Sequence, residues 1–292
     1  MRVGLVQLTV SDDVEANLIR TRALIAQAAE AGAQFILTPE CTNLLSSDRG
    51  YQAATLRSET DDLTLQTLRG DAQRLGVHLL IGSLAIKTDD LDGRFANRSY
   101  LIGPQGEILA RYDKIHMFDV TVSETESYRE SAAYRPGTEA ITALVQDTTI
   151  GMAVCYDVRF PYLFRVLAKA GAQVLTVPAA FNDTTGAAHW HILLRARAIE
   201  TGCFVLAPAQ CGLHPAVKGN APKHPRRTYG HSLVISPWGE ILADAGPQEG
   251  ITVVDLDLSD VAKVRGRIPS ITHDRPFAVA AAAANPSPTS TA

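Results

Sequence analysis

The segment Ala31-Gly32-Ala33-Gln34-Phe35-Ile36-Leu37-Thr38-Pro39 is echoed by Ala170-Gly171-Ala172-Gln173-Val174-Leu175-Thr176-Val177-Pro178. In each, the Ala-Gly-Ala closes a predicted helix, because glycine is favoured just past a last helical turn, and the apolar run after it opens a short buried strand. Upstream, Val3-Gly4-Leu5-Val6 matches Ile150-Gly151-Met152-Ala153 in residue type. A strand-helix-strand unit used twice predicts two related sheets packed face to face with helices outside. Ala-Gly-Ala is also a common helix stop, so the echo alone leaves a coincidental match open.

Around the repeat, residues 3–10 read as strand, 15–31 as helix, 35–38 as a short buried strand, 61–75 as helix and 77–86 as strand. Residues 98–102 and 107–111 flank a Gly103-Pro104-Gln105-Gly106 turn and predict an antiparallel hairpin. A sheet holding both hairpins and crossover helices is mixed, which points to an α/β chain other than a pure Rossmann order. Residues 120–136 are polar and lack periodicity, so they read as a long loop. Residues 212–227 hold Lys218, Lys223, Arg226, Arg227, His214 and His224 with three prolines, and read as a mobile basic loop. Residues 1–277 are expected to form the working domain, with 278–292 a disordered tail.

Charge narrows the partners. With 27 Lys plus Arg against 31 Asp plus Glu, the net charge is −4. That argues against a protein that neutralises nucleic-acid phosphates or lies on a membrane through a polybasic face. No apolar run approaches a bilayer span. The apolar start is interrupted by Gln7 and followed by Ser11-Asp12-Asp13, so it reads as a first strand and not a signal peptide. The four cysteines form no CxxC pair, and a reducing cytoplasm fits them.

One cysteine stands apart. An apolar strand ends at Cys155, and Pro161 then opens a helix, so Cys155 sits on a strand-to-helix elbow. Such elbows expose nucleophiles beside free backbone N–H groups, although a buried structural cysteine would look the same in sequence. A nucleophilic cysteine also needs a base or a cation near it. Glu40 follows a buried strand and Pro39, where an unpaired carboxylate would be costly, and Lys114 follows the hairpin between apolar residues. Taken singly, either could be an ordinary surface charge.

Together these segments resemble the nitrilase (carbon–nitrogen hydrolase) superfamily: Glu40 after Pro39, Lys114 in Tyr-Asp-Lys-Ile-His-Met-Phe, and Cys155 in Gly-Met-Ala-Val-Cys-Tyr-Asp-Val-Arg-Phe-Pro, in that order. Glu130, ahead of Arg135-Pro136-Gly137, falls where the family has a supporting glutamate. The later segments, including Ala209-Gln210-Cys211-Gly212 and residues 229–239, resemble its Nit branch, although the basic loop from Leu213 to Arg227 is longer than usual there. The resemblance implies a four-layer α-β-β-α sandwich of two mixed sheets, a homodimer, and no metal or organic cofactor. It implies an amidase acting on deaminated glutathione, with an ω-amidase for small α-keto acid amides as the alternative. It further implies substrate contacts from Arg159, Phe181 and Thr185. An arginine at 159 favours a carboxylate, or else a salt bridge to Asp157 or Glu200.

The chemistry follows from the residue types. Amide hydrolysis needs a nucleophile, an oxyanion donor and an acid for the leaving nitrogen. Cys155 would attack while Glu40 takes its proton, Lys114 and the Tyr156 N–H would hold the oxyanion, and Glu130 would position the lysine. A thioester on Cys155 would then be hydrolysed by water that Glu40 activates. Two other classes remain to be separated: a metal-dependent hydrolase using His189, His214, His224 and His231, and a non-catalytic protein of the same fold. His189 and His191 diverge by about 200° on a helix, too far to share an ion easily.

Overall fold

The first half of the chain runs β1 (Arg2–Gln7), α1 (Val14–Glu30), β2 (Phe35–Leu37), α2 (Arg49–Thr55), α3 (Leu63–Leu75), β3 (His78–Lys87), β4 (Phe95–Ile102) and β5 (Ile108–Asp113). A short hairpin, β6 (Asp119–Thr121) and β7 (Ser127–Arg129), leads to the second half. That half runs β8 (Ile141–Val145), β9 (Thr148–Met152), α4 (Pro161–Lys169), β10 (Val174–Thr176), α5 (Asp183–Thr201), β11 (Phe204–Ala207), β12 (Cys211–Leu213), β13 (Arg227–Tyr229), β14 (Leu233–Ile235) and β15 (Ile241–Asp244). β16 (Gly250–Asp255) and α6 (Ser259–Arg267) follow. This computed structural model describes residues 1–122, 127–220 and 225–279. Residues 280–292, most of the expected tail, lie outside the described residues, as does His224.

The strands build two six-stranded mixed sheets, β16-β1-β2-β3-β4-β5 and β8-β9-β10-β11-β14-β15. In that order the pairings agree step for step: antiparallel, parallel, parallel, antiparallel, antiparallel. Val3, Gly4 and Leu5 pair with Phe35, Ile36 and Leu37 as Ile150, Gly151 and Met152 pair with Val174, Leu175 and Thr176. The echo in the sequence is thus a repeat in three dimensions. Its glycines have one reason: a Cβ on Gly4 would lie 2.9 Å from Ala33 Cβ, and one on Gly151 3.0 Å from Leu167 Cβ and 3.2 Å from Ala172 Cβ. Each glycine lets its helix seat directly on its strand.

Side chains alternate across the first sheet, as strand geometry requires. Leu5, Leu37, Leu80 and Leu101 point between the sheets, into a core shared with Ile150, Met152 and Val174. Val6, Ile36, Leu79 and Ile102 face the other way, with Ile25 and Ala28 of α1 and Leu65 and Leu68 of α3. Leu163, Phe164 and Leu167 of α4 and Trp190 and Leu194 of α5 cover the second sheet. Each such side chain contributes roughly 1.5–3 kcal/mol on full burial. The result is the expected α-β-β-α sandwich.

Local differences from expectation have local causes. The first strand stops at Gln7 because Leu8 crosses to bridge Gln210, whose Oε1 also accepts the Val10 N–H at 3.2 Å. The helix expected from 61 begins at Leu63, since the Asp62 carboxylate caps it by accepting from Leu65 N–H at 2.8 Å. The stretch 120–136 is more regular than a loop, with Asp119 paired to Arg129 in a β ladder followed by a 3-10 turn, Glu130–Ala132. The basic stretch 212–227, expected to be mobile, is pinned in its described part. Val217, Lys218 and Gly219 donate their N–H groups to the Asp12 carboxylate at 2.6, 3.0 and 2.7 Å. No helix among the described residues is long and apolar enough to cross a membrane.

Candidate active site

The repeat brings two chain ends together. Pro39 and Pro178 leave the equivalent strands β2 and β10, and Gly82 lies between them: a Cβ there would sit 2.5 Å from Pro39 O and 2.6 Å from Pro178 Cβ. Only a bare backbone permits that approach. Glu40 follows Pro39, and Cys155 hangs on Pro178 through its N–H, which donates to Pro178 O at 2.9 Å. Cys155 has φ of 50°, a left-handed conformation unusual for a residue with a side chain, and is 7% exposed. Lys114, one residue past β5, is 2% exposed.

These side chains form one network. Lys114 Nζ donates to Glu40 Oε1 at 3.0 Å and to both oxygens of Glu130 at 2.9 and 2.8 Å. Asn97 Nδ2 donates to Glu40 Oε1 at 2.9 Å and to Glu130 Oε1 at 3.3 Å, while the Ala180 N–H takes Glu40 Oε2 at 2.8 Å. The Cys155 thiol lies beside Glu40, near enough for each to shift the other's titration. Burial pushes the Glu40 carboxyl up, but the charges of Lys114 and Arg226 and these hydrogen bonds outweigh it and hold the group at about 2. Burial likewise opposes the Lys114 charge; Glu130 and Glu40 outweigh it, so the ammonium persists well above the usual lysine range. Burial, with Glu40 adjacent, drives the Cys155 thiol well above its ordinary value. At neutral pH the site therefore holds a neutral thiol, a carboxylate and an ammonium.

Asp157 fixes the elbow. Buried beneath the Cys155–Arg159 3-10 turn, it accepts from Val154 N–H at 2.8 Å and Tyr112 Oη at 2.7 Å with one oxygen, and from His116 N–H at 3.0 Å with the other. The Tyr156 N–H lies in the first turn of that segment, where no intrahelical carbonyl is in reach.

A cavity of about 540 Å³ opens onto the network, within the size range of small-molecule sites. Phe181 and Thr185 line it, as do Tyr156, His214 and the cations Arg49, Arg129 and Arg226. Arg159 stands outside the lining: its guanidinium rests against the rings of Tyr156 and Phe181, and its Nη2 lies 3.3 Å from His189 Nδ1. Neither salt bridge considered for it forms, since Glu200 pairs with Arg197 and Asp157 serves the elbow.

Residues 2–266 match the carbon-nitrogen hydrolase family. The chain belongs to that family. This hydrolase is similar to the deaminated glutathione amidase of Synechocystis, 38% identical over 91% of this chain and 95% of that protein. It is similar as well to the human omega-amidase NIT2, 33% identical over 94% of this chain and 95% of that one. Among solved structures, Saccharomyces cerevisiae Nit3, of branch 10 of the nitrilase superfamily, superposes with a TM-score of 0.81 at 28% identity, covering 95% of this chain and 97% of its own. The hydrolase is an amide-cleaving enzyme of that superfamily.

Among the described residues, the histidines named for the metal-hydrolase alternative, His189, His214 and His231, do not assemble at one site. His214 is buried at the cavity wall, with Nδ1 2.7 Å from Val10 O and Nε2 2.7 Å from Thr228 Oγ1, while burial pushes its pKa down to about 4. His189 lies beside Arg159, and His231 is bonded to Asp244 outside the cavity. His191 joins His231 around Asp244, so three potential ligand atoms do converge there, outside the cavity that Cys155 lines.

Sequence reasoning missed Asn97, Asp157, Gly82 and the site role of Arg226. Asn97 carries no motif of its own, and Asp157, although inside the Cys155 motif, was read only as a salt-bridge option for Arg159; only the fold shows Asn97 bonded to Glu40 and Glu130 and Asp157 buried under the elbow it holds. Arg226 had a signal, its place in the basic stretch just before β13, but composition assigned that stretch to solvent.

Proposed function

We propose that the hydrolase cleaves the amide bond of deaminated glutathione through a thioester on Cys155. The observation that carries this reading is one buried network of Glu40, Lys114, Glu130 and Cys155 at the floor of a cavity rimmed by cations. Similarity to deaminated glutathione amidases supports the substrate. A thiolate stored beside Glu40 would put two anions in one buried site, so proton transfer to Glu40 accompanies attack of the sulfur on the carbonyl carbon. Lys114 Nζ and the Tyr156 N–H stabilise the oxyanion. Glu40 returns its proton to the leaving amine, the C–N bond breaks and the thioester remains. Glu40 then deprotonates water as its oxygen bonds to the thioester carbon, the C–S bond breaks to release the carboxylic acid, and Glu40 returns that proton to the sulfur to restore the thiol. Glu130 holds Lys114 in place, and Phe181 and Thr185 contact the substrate chain.

A second reading, an ω-amidase on α-ketoglutaramate, is supported by similarity to human NIT2. The two substrates share an acyl group and differ in the leaving group, a dipeptide amine against ammonia. Wild-type protein and Cys155→Ala, assayed side by side on both for the released amine, decide the matter. A large kcat/KM preference for deaminated glutathione upholds the proposal, and preference for the small amide replaces it with the second reading. The same proposal has the protein act in the cytoplasm as a homodimer, consistent with its free cysteines; light scattering on the purified protein tests the dimer.

A further inference from the structure

Outside the cavity that Cys155 lines, His191 of α5, His231 between β13 and β14, and Asp244 at the end of β15 turn one ligand atom each towards a common point. His191 Nε2 lies 3.0 Å from Asp244 Oδ2, and His231 Nδ1 lies 2.9 and 3.1 Å from Oδ1 and Oδ2. All three ligand atoms fall within 4.8 Å of one another. A tetrahedral ion with ligands about 2.0–2.1 Å away spaces neighbouring ligand atoms about 3.3 Å apart, so modest side-chain rotations close these three around one ion. The side chains of His191, His231 and Asp244 are 28%, 23% and 33% exposed, which leaves the group open to an ion from solvent.

The surroundings hold this arrangement. His231 has φ of 54°, a left-handed conformation that costs free energy in a residue with a side chain. Its N–H donates to Gly246 O at 2.8 Å, and its carbonyl accepts from Trp190 Nε1 at 2.9 Å. The Tyr229 ring stacks on the His231 ring with centroids 4.4 Å apart and meets the His191 ring edge-on at 5.9 Å. The Gly246 N–H donates to Asp244 Oδ1 at 2.8 Å. Outer contacts of this kind orient ligands before an ion binds. A neutral imidazole that keeps its proton on the far nitrogen presents a lone pair at the near one.

We propose that His191, His231 and Asp244 bind one divalent transition-metal ion such as zinc, with water as the fourth ligand, and that the ion clamps α5 to the ends of β13, β14 and β15. Two imidazoles and a carboxylate suit such an ion, whereas calcium and magnesium take oxygen ligands. The ion takes no part in amide cleavage, and the inference does not depend on which amide the enzyme cleaves.

Zinc chloride titrated calorimetrically into chelator-stripped Cys155→Ala protein tests the site, because the reactive thiol is then unable to take the ion. One ion per chain is expected. His231→Gln and Asp244→Asn in that background should each weaken binding by at least about tenfold, while His189→Gln and His214→Gln should leave it unchanged. In wild type, zinc at a hundred times its Kd should raise Tm by about 5 °C or more, and magnesium chloride at the same concentration should not. The rise should vanish in Asp244→Asn. Reading Tm with and without zinc within each variant separates loss of the ion from loss of a hydrogen bond. No uptake of zinc overturns the proposal and leaves two plain hydrogen bonds to Asp244. Uptake that His231→Gln and Asp244→Asn do not weaken, or a Tm rise that survives in Asp244→Asn, places the ion elsewhere and overturns it as well.

Discussion

Lys114 meets Glu130 through both carboxylate oxygens, at 2.9 and 2.8 Å, but meets Glu40 through a single oxygen at 3.0 Å. Glu130 is thus the principal counter-ion of the lysine, a division that suits the base role proposed for Glu40. In Glu130→Gln the ammonium is expected to be drawn onto Glu40, which, in the proposed mechanism, weakens both the oxyanion donor and the base. The expected result is a kcat lower by roughly a hundredfold with KM little changed, the size of losing one preorganised stabiliser. Steady-state kinetics check it, and a kcat close to wild type would remove Glu130 from the mechanism.

Replacing Glu40 by Gln keeps the shape but removes one of the two charges beside Lys114 and, in the proposed mechanism, the acceptor of the thiol proton. Loss of a general base costs about 10²–10⁴-fold in rate. Activity in Glu40→Gln should fall within or below that range, with alkylation of Cys155 by iodoacetamide slowed in parallel. Rapid alkylation in the variant would show that another group activates the thiol.

His214 makes stability depend on pH. Burial lowers its pKa to about 4, against an unfolded value near 6.5, so the unfolded chain binds the extra proton between those two pH values. The stabilisation is therefore fully present above pH ~6.5 and declines as pH falls towards ~4, by about 3 kcal/mol in all. Glu40, held at about 2, adds a loss that starts lower, below its unfolded value near 4.5. Urea unfolding between pH 7 and 4 should show the decline, and His214→Gln should flatten it. A wild-type profile level over that range would contradict the buried neutral imidazole.

Gly4 and Gly151 should respond alike to alanine. A Cβ at Gly4 meets Ala33 at 2.9 Å and Ala28 at 3.2 Å; one at Gly151 meets Leu175 at 2.9 Å and Leu167 at 3.0 Å. Overpacking of this kind costs about 1–3 kcal/mol, so Tm should fall by comparable amounts in the two variants. Gly82→Ala should be far worse, because its Cβ would lie 2.0 Å from the Thr38 carbonyl and push Glu40 off its strand end. Calorimetry that finds Gly151→Ala as stable as wild type would break the equivalence of the two halves.

Much of this arrangement was legible in the linear chain. The Ala-Gly-Ala-Gln echo foretold the twin strand-helix-strand units, because helix stops and buried strands are local patterns that need no distant partner to be read. Glu40, Lys114 and Cys155 were candidates from their places at strand ends and an elbow, where singly they looked like ordinary charges or a structural cysteine; the resemblance to the nitrilase superfamily linked them and added Glu130. Boundaries were less legible: Asp62 looks like the start of a helix and is its cap, and Leu8 continues an apolar run yet leaves its sheet.

What the residues alone determined, then, is the layer plan and the chemical inventory, since both follow from periodicity and residue type. What the tertiary structure decided is which groups share a charge. Lys114 and Glu40 are 74 residues apart, and Ala180 is 140 from Glu40. Their meeting depends on two sheets closing across Gly82, and burial then sets their protonation. Arg226 shows the same division: its charge was plain in the sequence, but only the fold reveals that it lines the cavity and helps to hold the Glu40 carboxylate ionised. Local patterns report what each residue prefers, and long-range packing fixes the dielectric and the neighbours that turn preference into chemistry.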